Sequence, residues 1–182
     1  MNKIEFQLPT SHHKTAAEDF KNEFFEMDKG EKKIPGSAKL LEREYGSWLN
    51  HTINNRQEDA ENKDGGVVRT TFFAVRKCDN KIIGIIDIRH SLGDDTYLNE
   101  YGGHIGYSVR PSERKKGYAT EMLKMGLEYA KSLNIEKVMI GCYSDNQQSI
   151  KTIEKCGGVL SDTKLYTDGK PMNIYDILIT TK

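Results

Sequence analysis

One segment, residues 103–119, constrains the fold of this chain more than any other. It begins with the alternating pattern of a strand, Gly-His-Ile-Gly-Tyr-Ser-Val, and continues through the basic turn Arg114-Lys115-Lys116-Gly117-Tyr118-Ala119 into a helix. Backbone N–H groups at a helix N-terminus have no partner within the helix, and the helix dipole adds positive potential. Gly117 permits close approach of the backbone to a ligand, and Ala119 is too small to block it. The segment therefore predicts a site for a phosphate-like anion.

The residues that follow this turn predict the neighbouring elements. A run of apolar residues lies on one helix face: Ala119, Met122, Leu123, Gly126, Leu127, Ala130 and Leu133. An apolar run over 137–143 then predicts a buried strand. A second helix begins within Asp145–Ser149 and ends at Cys156-Gly157-Gly158.

These two motifs, in this order and one helix and one strand apart, resemble the GNAT acetyltransferase superfamily. The turn matches the pattern Arg/Gln-x-x-Gly-x-Gly/Ala, and the second helix matches Asn-x-x-Ser/Ala followed by Glu-Lys-x-Gly. The chain is similar in particular to ribosomal-protein-type and uncharacterised bacterial members with a Gly-x-Ile-Gly-Tyr strand. The resemblance is dense over residues 102–160 and only topological before them. It implies a single acetyltransferase domain over residues 1–182.

Periodicity and turn residues predict the remaining elements. Ile4–Leu8 reads as a strand, and two helices follow, one with Phe20 and Phe24 and one with Leu41, Tyr45 and Trp48 on its apolar face. A polar connection over 54–66 leads to strands over 67–75 and 81–88, a polar loop over 93–102, and a final hairpin of strands 159–166 and 173–180. The order β-α-α-β-β-β-α-β-α-β-β predicts an α/β fold. As in GNAT proteins, we expect a mixed, mostly antiparallel central sheet with helices on both faces.

The resemblance also implies how acetyl-CoA, the cosubstrate, would bind. The turn would hold the pyrophosphate, and the pantetheine arm would pair with the edge of the preceding strand. The implied binding residues are Tyr107, Ser108, Val109, Arg114, Lys115, Lys116, Gly117, Tyr118, Ala119, Thr120, Asn146 and Ser149. A simpler interpretation remains open for some of them: the lysines as a solvated loop, and Asn146 and Ser149 as helix-capping residues.

The catalytic residues are less clearly marked. His104 occupies the position where several acetyltransferases have a catalytic glutamate, and a neutral imidazole is suited to accept a proton near pH 7; a structural histidine is the equal alternative. Glu100, in the preceding loop, is a second candidate for the base. The tyrosine that many members use as general acid is replaced by Ile153. The acid is therefore Tyr143 or another residue, or none is needed.

Composition excludes several classes of protein. The formal net charge is zero, so nothing favours non-specific nucleic-acid binding. No apolar run approaches the roughly 20 residues of a membrane helix, and no signal-peptide core is present. The cysteines Cys78, Cys142 and Cys156 show no metal-ligand spacing. We expect a cytoplasmic protein with inert thiols and no metal site; a homodimer is the default among oligomers.

The sequence thus predicts an acetyl-CoA-dependent N-acetyltransferase that acts on a primary amine of a small molecule, peptide or protein. A non-catalytic acyl-CoA-binding or sensing module on the same fold is the alternative. Nucleotide binding through the glycine turn is disfavoured because neither Gly-x-x-x-x-Gly-Lys-Ser/Thr nor Gly-x-Gly-x-x-Gly is present. The acidic loop residues Asp94, Asp95 and Glu100 favour, weakly, a cationic acceptor.

Overall fold

A computed structural model describes residues 2–27, 34–57 and 67–179 of the chain. Its elements in chain order are β1 (Ile4–Gln7), α1 (Lys14–Met27), α2 (Tyr45–Asn54), β2 (Arg69–Arg76), β3 (Ile82–Arg89), β4 (Ile105–Val109), α3 (Tyr118–Ser132), β5 (Lys137–Tyr143), α4 (Gln147–Lys155), β6 (Val159–Leu165) and β7 (Pro171–Leu178). This is the predicted order, and the α/β fold class is confirmed. The predicted turn at residues 65 and 66, most of the polar connection before it and residue 180 lie outside the described residues.

The strands form two antiparallel sheets rather than one continuous sheet. The first has the order β1-β2-β3-β4 and the second the order β5-β7-β6. Among the described residues no ladder joins β4 to β5, so the central sheet is divided between these two strands. In β7, which lies between two strands, Pro171 takes the first position, where its missing N–H costs least.

Helices cover both faces of the first sheet, as predicted. On one face α3 and α4 contribute Met122, Leu123 and Ile153 to the core. On the other face α1 and α2 contribute Phe20 and Trp48. The successive β3 residues Ile85 and Ile86 belong to these opposite faces, as the two-residue period of a strand requires. None of the described helices is long and apolar enough to cross a membrane.

Two local predictions need correction. Leu41 is not part of α2; it lies in a separate 3₁₀ turn, Leu40–Glu42, because the chain is extended at Arg43 and Glu44 before α2 begins. The loop over 93–102 is not wholly irregular. It contains a π-helical turn, Leu98–Gly102, and the buried side chain of Leu98 anchors that turn.

Candidate active site

The site is built on the gap between β4 and β5. Hydrogen bonds from Arg110 N to Ile83 O and from Arg89 N to His104 O fix the ladder between β3 and β4. Since backbone direction alternates along an antiparallel strand, Tyr107 and Val109 turn their N–H and C=O groups away from β3 and toward the gap. The Val109 carbonyl accepts from Arg114 Nε at 3.3 Å. The gap therefore presents the backbone groups of Tyr107 and the N–H of Val109 along the part of β4 that precedes the basic turn.

His104 closes the gap at its other end. Its backbone N–H donates to Met139 O at 2.7 Å, and its Nδ1 accepts from Met139 N–H at 3.0 Å. Burial, with help from the charges of Arg89 and Lys137, lowers the pKa of His104 to about 4. Because Nδ1 is already an acceptor, the neutral ring carries its proton on Nε2 and has no free lone pair. The base role of His104 stays a prediction, and this geometry disfavours it.

The basic turn has the backbone conformation of an anion-binding loop. Lys115 and Gly117 have positive φ values of 62° and 88°, and α3 begins directly after Gly117. The amides of Tyr118, Ala119 and Thr120 lie in the first helical turn, where no intrahelical acceptor exists for them. The basic turn thus leaves the N–H groups of Tyr118, Ala119 and Thr120 available at the N-terminus of α3.

A cavity of about 940 Å³ lies beside this turn. Its lining includes every residue that the sequence predicts for acetyl-CoA except Lys116, which forms a 2.9 Å ion pair with Glu113. Four basic residues and two acidic ones contribute to the wall: Arg114, Lys115, Lys151, Lys155, Glu26 and Glu113. The cavity is therefore electropositive, which suits a phosphorylated ligand. The two α4 lysines were not predicted; their exposed helical positions carry no sequence signal.

Two further residues that sequence reasoning missed hold the turn in place. Arg110 is buried and donates to Ile82 O, Asp19 and Glu23. Glu113 is also buried and pairs with Arg76 at 3.1 Å. Burial alone would raise the pKa of Glu113, but the hydrogen bond from Lys116 and the charge of Arg76 lower it.

The cavity meets a second one at Tyr107, Asn146 and Ser149, which line both. The Tyr107 hydroxyl lies 3.1 Å from Ser149 Oγ across the gap. Burial raises the pKa of Tyr107 to about 12, so the phenol stays protonated. Asn146 caps α4, because its side chain accepts from Ser149 N–H at 3.0 Å. The capping interpretation of Asn146 is therefore correct, and it coexists with a place at the junction of both cavities.

The second cavity measures about 840 Å³ and lies on the side of the gap away from the basic turn. Its lining includes Arg69, Asp87, Arg89 and a cluster of four tyrosines, Tyr97, Tyr101, Tyr143 and Tyr166. Tyr143, a predicted catalytic residue, donates to Asp168 Oδ2 at 3.0 Å. His104, Glu100 and Asp94 do not line it, and Asp95 caps the π-helical turn by accepting from Leu98 N–H.

Two of the three thiols lie in surroundings that disfavour a nucleophile. Cys142 is buried, Cys156 is half-buried and Cys78 is exposed. Burial raises the pKa of both Cys142 and Cys156, which disfavours the thiolate that a nucleophile needs. No cluster of three or more His, Cys, Asp or Glu side chains within residues 2–27, 34–57 and 67–179 could hold a metal ion.

Comparison with known proteins gives consistent results. Residues 15–159 match the model of the acetyltransferase (GNAT) domain. The uncharacterized N-acetyltransferase YnaD of Bacillus subtilis (strain 168) is 30% identical over 105 residues, which span 56% of this chain and 58% of that protein. The structure of a ribosomal-protein-S5-alanine acetyltransferase from Vibrio fischeri superimposes with a TM-score of 0.70 at 18% identity, over 98% of this chain and 94% of that one.

A ribosomal L7/L12 alpha-N-protein acetyltransferase, solved in complex with coenzyme A, has a TM-score of 0.67 at 17% identity, with 98% of this chain and 96% of that one covered. At such identities the structural likeness shows a shared fold. The family model, in contrast, matches well over half of the sequence. On that match, this chain belongs to the GNAT acetyltransferase family.

Proposed function

We propose that the protein is an acetyl-CoA-dependent N-acetyltransferase that transfers acetyl to a primary amine by direct attack on the thioester. The observation that carries this proposal is the gap between β4 and β5. An electropositive cavity at a helix N-terminus lies on one side of it and a second cavity on the other, and the two meet at Tyr107, Asn146 and Ser149. This is the layout needed to bring two substrates together end to end.

The first cavity is suited to acetyl-CoA. The amides of Tyr118, Ala119 and Thr120 would hold the pyrophosphate, with Arg114 and Lys115 adding charge. The backbone groups of Tyr107 and the N–H of Val109 would pair with the pantetheine amides, much as a neighbouring strand would. A protein of the same fold, the ribosomal L7/L12 alpha-N-protein acetyltransferase, was solved in complex with coenzyme A, which supports coenzyme A as the class of ligand.

The chemistry would take place at the junction. The amine nitrogen forms a bond to the thioester carbonyl carbon, the carbon–sulfur bond breaks, and the ammonium proton leaves to water in the second cavity. An N–H group of the gap-facing backbone near Val109 would polarise the carbonyl. A hydrogen-bond donor would stabilise the departing thiolate. Ile153 cannot supply one and is fully buried in the core, whereas the Tyr107–Ser149 hydroxyl pair lies at the junction.

The test is turnover of acetyl-CoA, followed with a thiol-trapping reagent across a panel of amines. Ser149→Ala should lower kcat while acetyl-CoA affinity stays within a few-fold of the parent. The matched control is Ser132→Ala, at the far end of α3, where the hydroxyl donates to Tyr129 O outside both cavities. Tight acetyl-CoA binding without turnover on any amine would favour the alternative, a non-catalytic sensing module.

A further inference from the structure

The floor of the second cavity carries a group of charges, formed by the buried Asp87 and the partly buried Arg69 and Arg89. Asp87 and Arg89 are two residues apart on β3, and Arg69 is the cross-strand partner of Arg89 on β2. Alternation therefore places the three side chains on one face of the sheet. All three line the cavity.

The Asp87 carboxylate does not accept a hydrogen bond from either Arg69 or Arg89. Its side chain is 2% exposed, and its Oδ1 accepts a 2.7 Å hydrogen bond from Thr71. Its Oδ2 lies 3.9 Å from Arg69 Nη1 and 3.9 Å from Arg89 Nη2, beyond hydrogen-bond reach. Two guanidinium groups thus share one carboxylate, and the floor keeps a net positive charge.

Several arginine donors lack acceptors. Arg89 Nη1 donates to Gly103 O at 2.9 Å and Gly102 O at 3.3 Å. The Nε atoms of Arg69 and Arg89 are buried and have no hydrogen-bond partner among the residues that the structure describes. Unpaired buried donors are costly, and more so when charged. Burial lowers the pKa of Arg89, and the charge of Asp87 opposes that shift only in part.

The remaining charges of this cavity lie elsewhere. Glu42 and Asp168 are exposed carboxylates at its rim, and Lys39 is an exposed cation. The four tyrosines add ring faces without a formal charge. Among the residues that the structure describes, an ammonium group would find no free carboxylate on the floor, because Asp87 is already flanked by both arginines. An oxyanion would find up to two guanidinium groups.

From this geometry we infer that the amine acceptor also carries an anionic group, a carboxylate or a phosphate, which binds to Arg69 and Arg89 on the cavity floor. The inference rests on the proposed acetyl transfer and specifies its substrate class. It reverses the weak expectation of a cationic acceptor, which depended on Asp94, Asp95 and Glu100; none of these lines the cavity.

The distance between the arginines on the floor and the junction of the two cavities determines how long the acceptor must be. Asp87 is the cross-strand partner of Gly106, and Arg89 lies level with His104. From that level to Tyr107 at the junction is three residues of strand, on the order of 10 Å. A small molecule that carries both groups can span this distance, with its anion on the arginines and its amine at the thioester.

The experiment measures kcat/KM for matched acceptors with acetyl-CoA. The phosphate arm compares O-phosphoethanolamine with ethanolamine, and the carboxylate arm compares L-phenylalanine with phenethylamine; spermidine is the cationic probe. We expect kcat/KM for the member with the anionic group, in at least one pair, to exceed that of its counterpart without the group by about 30-fold or more, since removal of one partner from a desolvated charge pair has that effect. The arm that responds identifies the anion.

Arg69→Gln should abolish this preference through KM and leave the acetyl-CoA dissociation constant unchanged. Arg69→Lys, which keeps the charge, should retain part of it. The matched control is Arg43→Gln, an arginine that lines neither cavity. A purely structural role would lower the unfolding temperature without changing the ratio between paired acceptors, and would overturn the inference.

Two outcomes separate this inference from the proposed function. Equal or better turnover of spermidine, ethanolamine and phenethylamine would overturn the anionic subsite while confirming acetyl transfer. If no amine turns over, thermal-shift titration decides. Stabilisation of the parent, but not of Arg69→Gln, by O-phosphoethanolamine or L-phenylalanine would support the subsite without the enzyme, and the lack of any such difference would overturn it.

Discussion

Replacement of Gly117 by valine tests the phosphate site at its most sensitive point. Gly117 has a φ of 88°, and the amides of the first turn of α3 follow it directly. A β-branched residue disfavours this conformation by about 1–2 kcal/mol, so valine should both destabilise the fold and draw the turn toward negative φ. If two of the three outward amides lose their phosphate contact, at about 1.5–3 kcal/mol each, acetyl-CoA affinity should fall by at least about 100-fold.

The matched control is Gly157→Val. Gly157 has nearly the same conformation, with a φ of 89°, and a side chain there would meet no atom within 4 Å. Both variants should therefore lose similar stability in urea titrations, while only Gly117→Val loses affinity in calorimetry with acetyl-CoA. A folded Gly117→Val protein that binds acetyl-CoA as tightly as Gly157→Val would refute the placement of the phosphates on this turn.

Three further predictions concern residues around the site. Burial holds the pKa of His104 at about 4 against 6.5 for a free side chain, so its contribution to stability should fall as the pH drops from 6.5 toward 4. His104→Gln should remove that slope in urea titrations and change kcat only a few-fold; a kcat loss of about 100-fold or more at pH 7, with acetyl-CoA affinity intact, would restore the base role. Glu113→Gln removes the charge that Arg76 and Lys116 share, while Asp79 still pairs with Arg76. The loss of these charge-assisted hydrogen bonds should cost about 2 kcal/mol of unfolding free energy and weaken acetyl-CoA binding, as chemical denaturation and calorimetry would show. An unchanged stability would contradict the proposed anchoring. Replacement of Cys78, Cys142 and Cys156 by serine or alanine should preserve turnover per folded molecule; loss of turnover from one replacement, with binding intact, would indicate an acetyl-cysteine intermediate.

The sequence predicted best those features that depend on local pattern. The strand 137–143 was predicted to the residue, and the helix predicted after the basic turn corresponds to α3, because apolar period and turn chemistry are both local. The glycine turn was identified for the same reason, since the six residues 114–119 contain both the glycine and the start of the helix.

Features that depend on distant partners could not be predicted. His104 occupies a position suited to a base, but the N–H of Met139, 35 residues away, occupies its Nδ1. The charges of the acidic loop are plain in the sequence, whereas the floor of the second cavity is made by Arg69, Asp87 and Arg89 through strand register. In the sequence these three residues look like the ordinary ends of two strands. Only the register between the strands brings their charges together, and a local sequence pattern does not contain that register.

The divided sheet also bears on how the protein avoids self-association. Unpaired strand edges usually invite another chain, and proteins protect them with charges, bulges or covering elements. Here the inner edges of β4 and β5 face each other and meet at His104 and Met139, so each shields the other from a foreign strand. A slender ligand without bulky side groups can still enter. The geometry that leaves hydrogen-bonding groups free for a substrate thus also keeps those groups from becoming a template for aggregation.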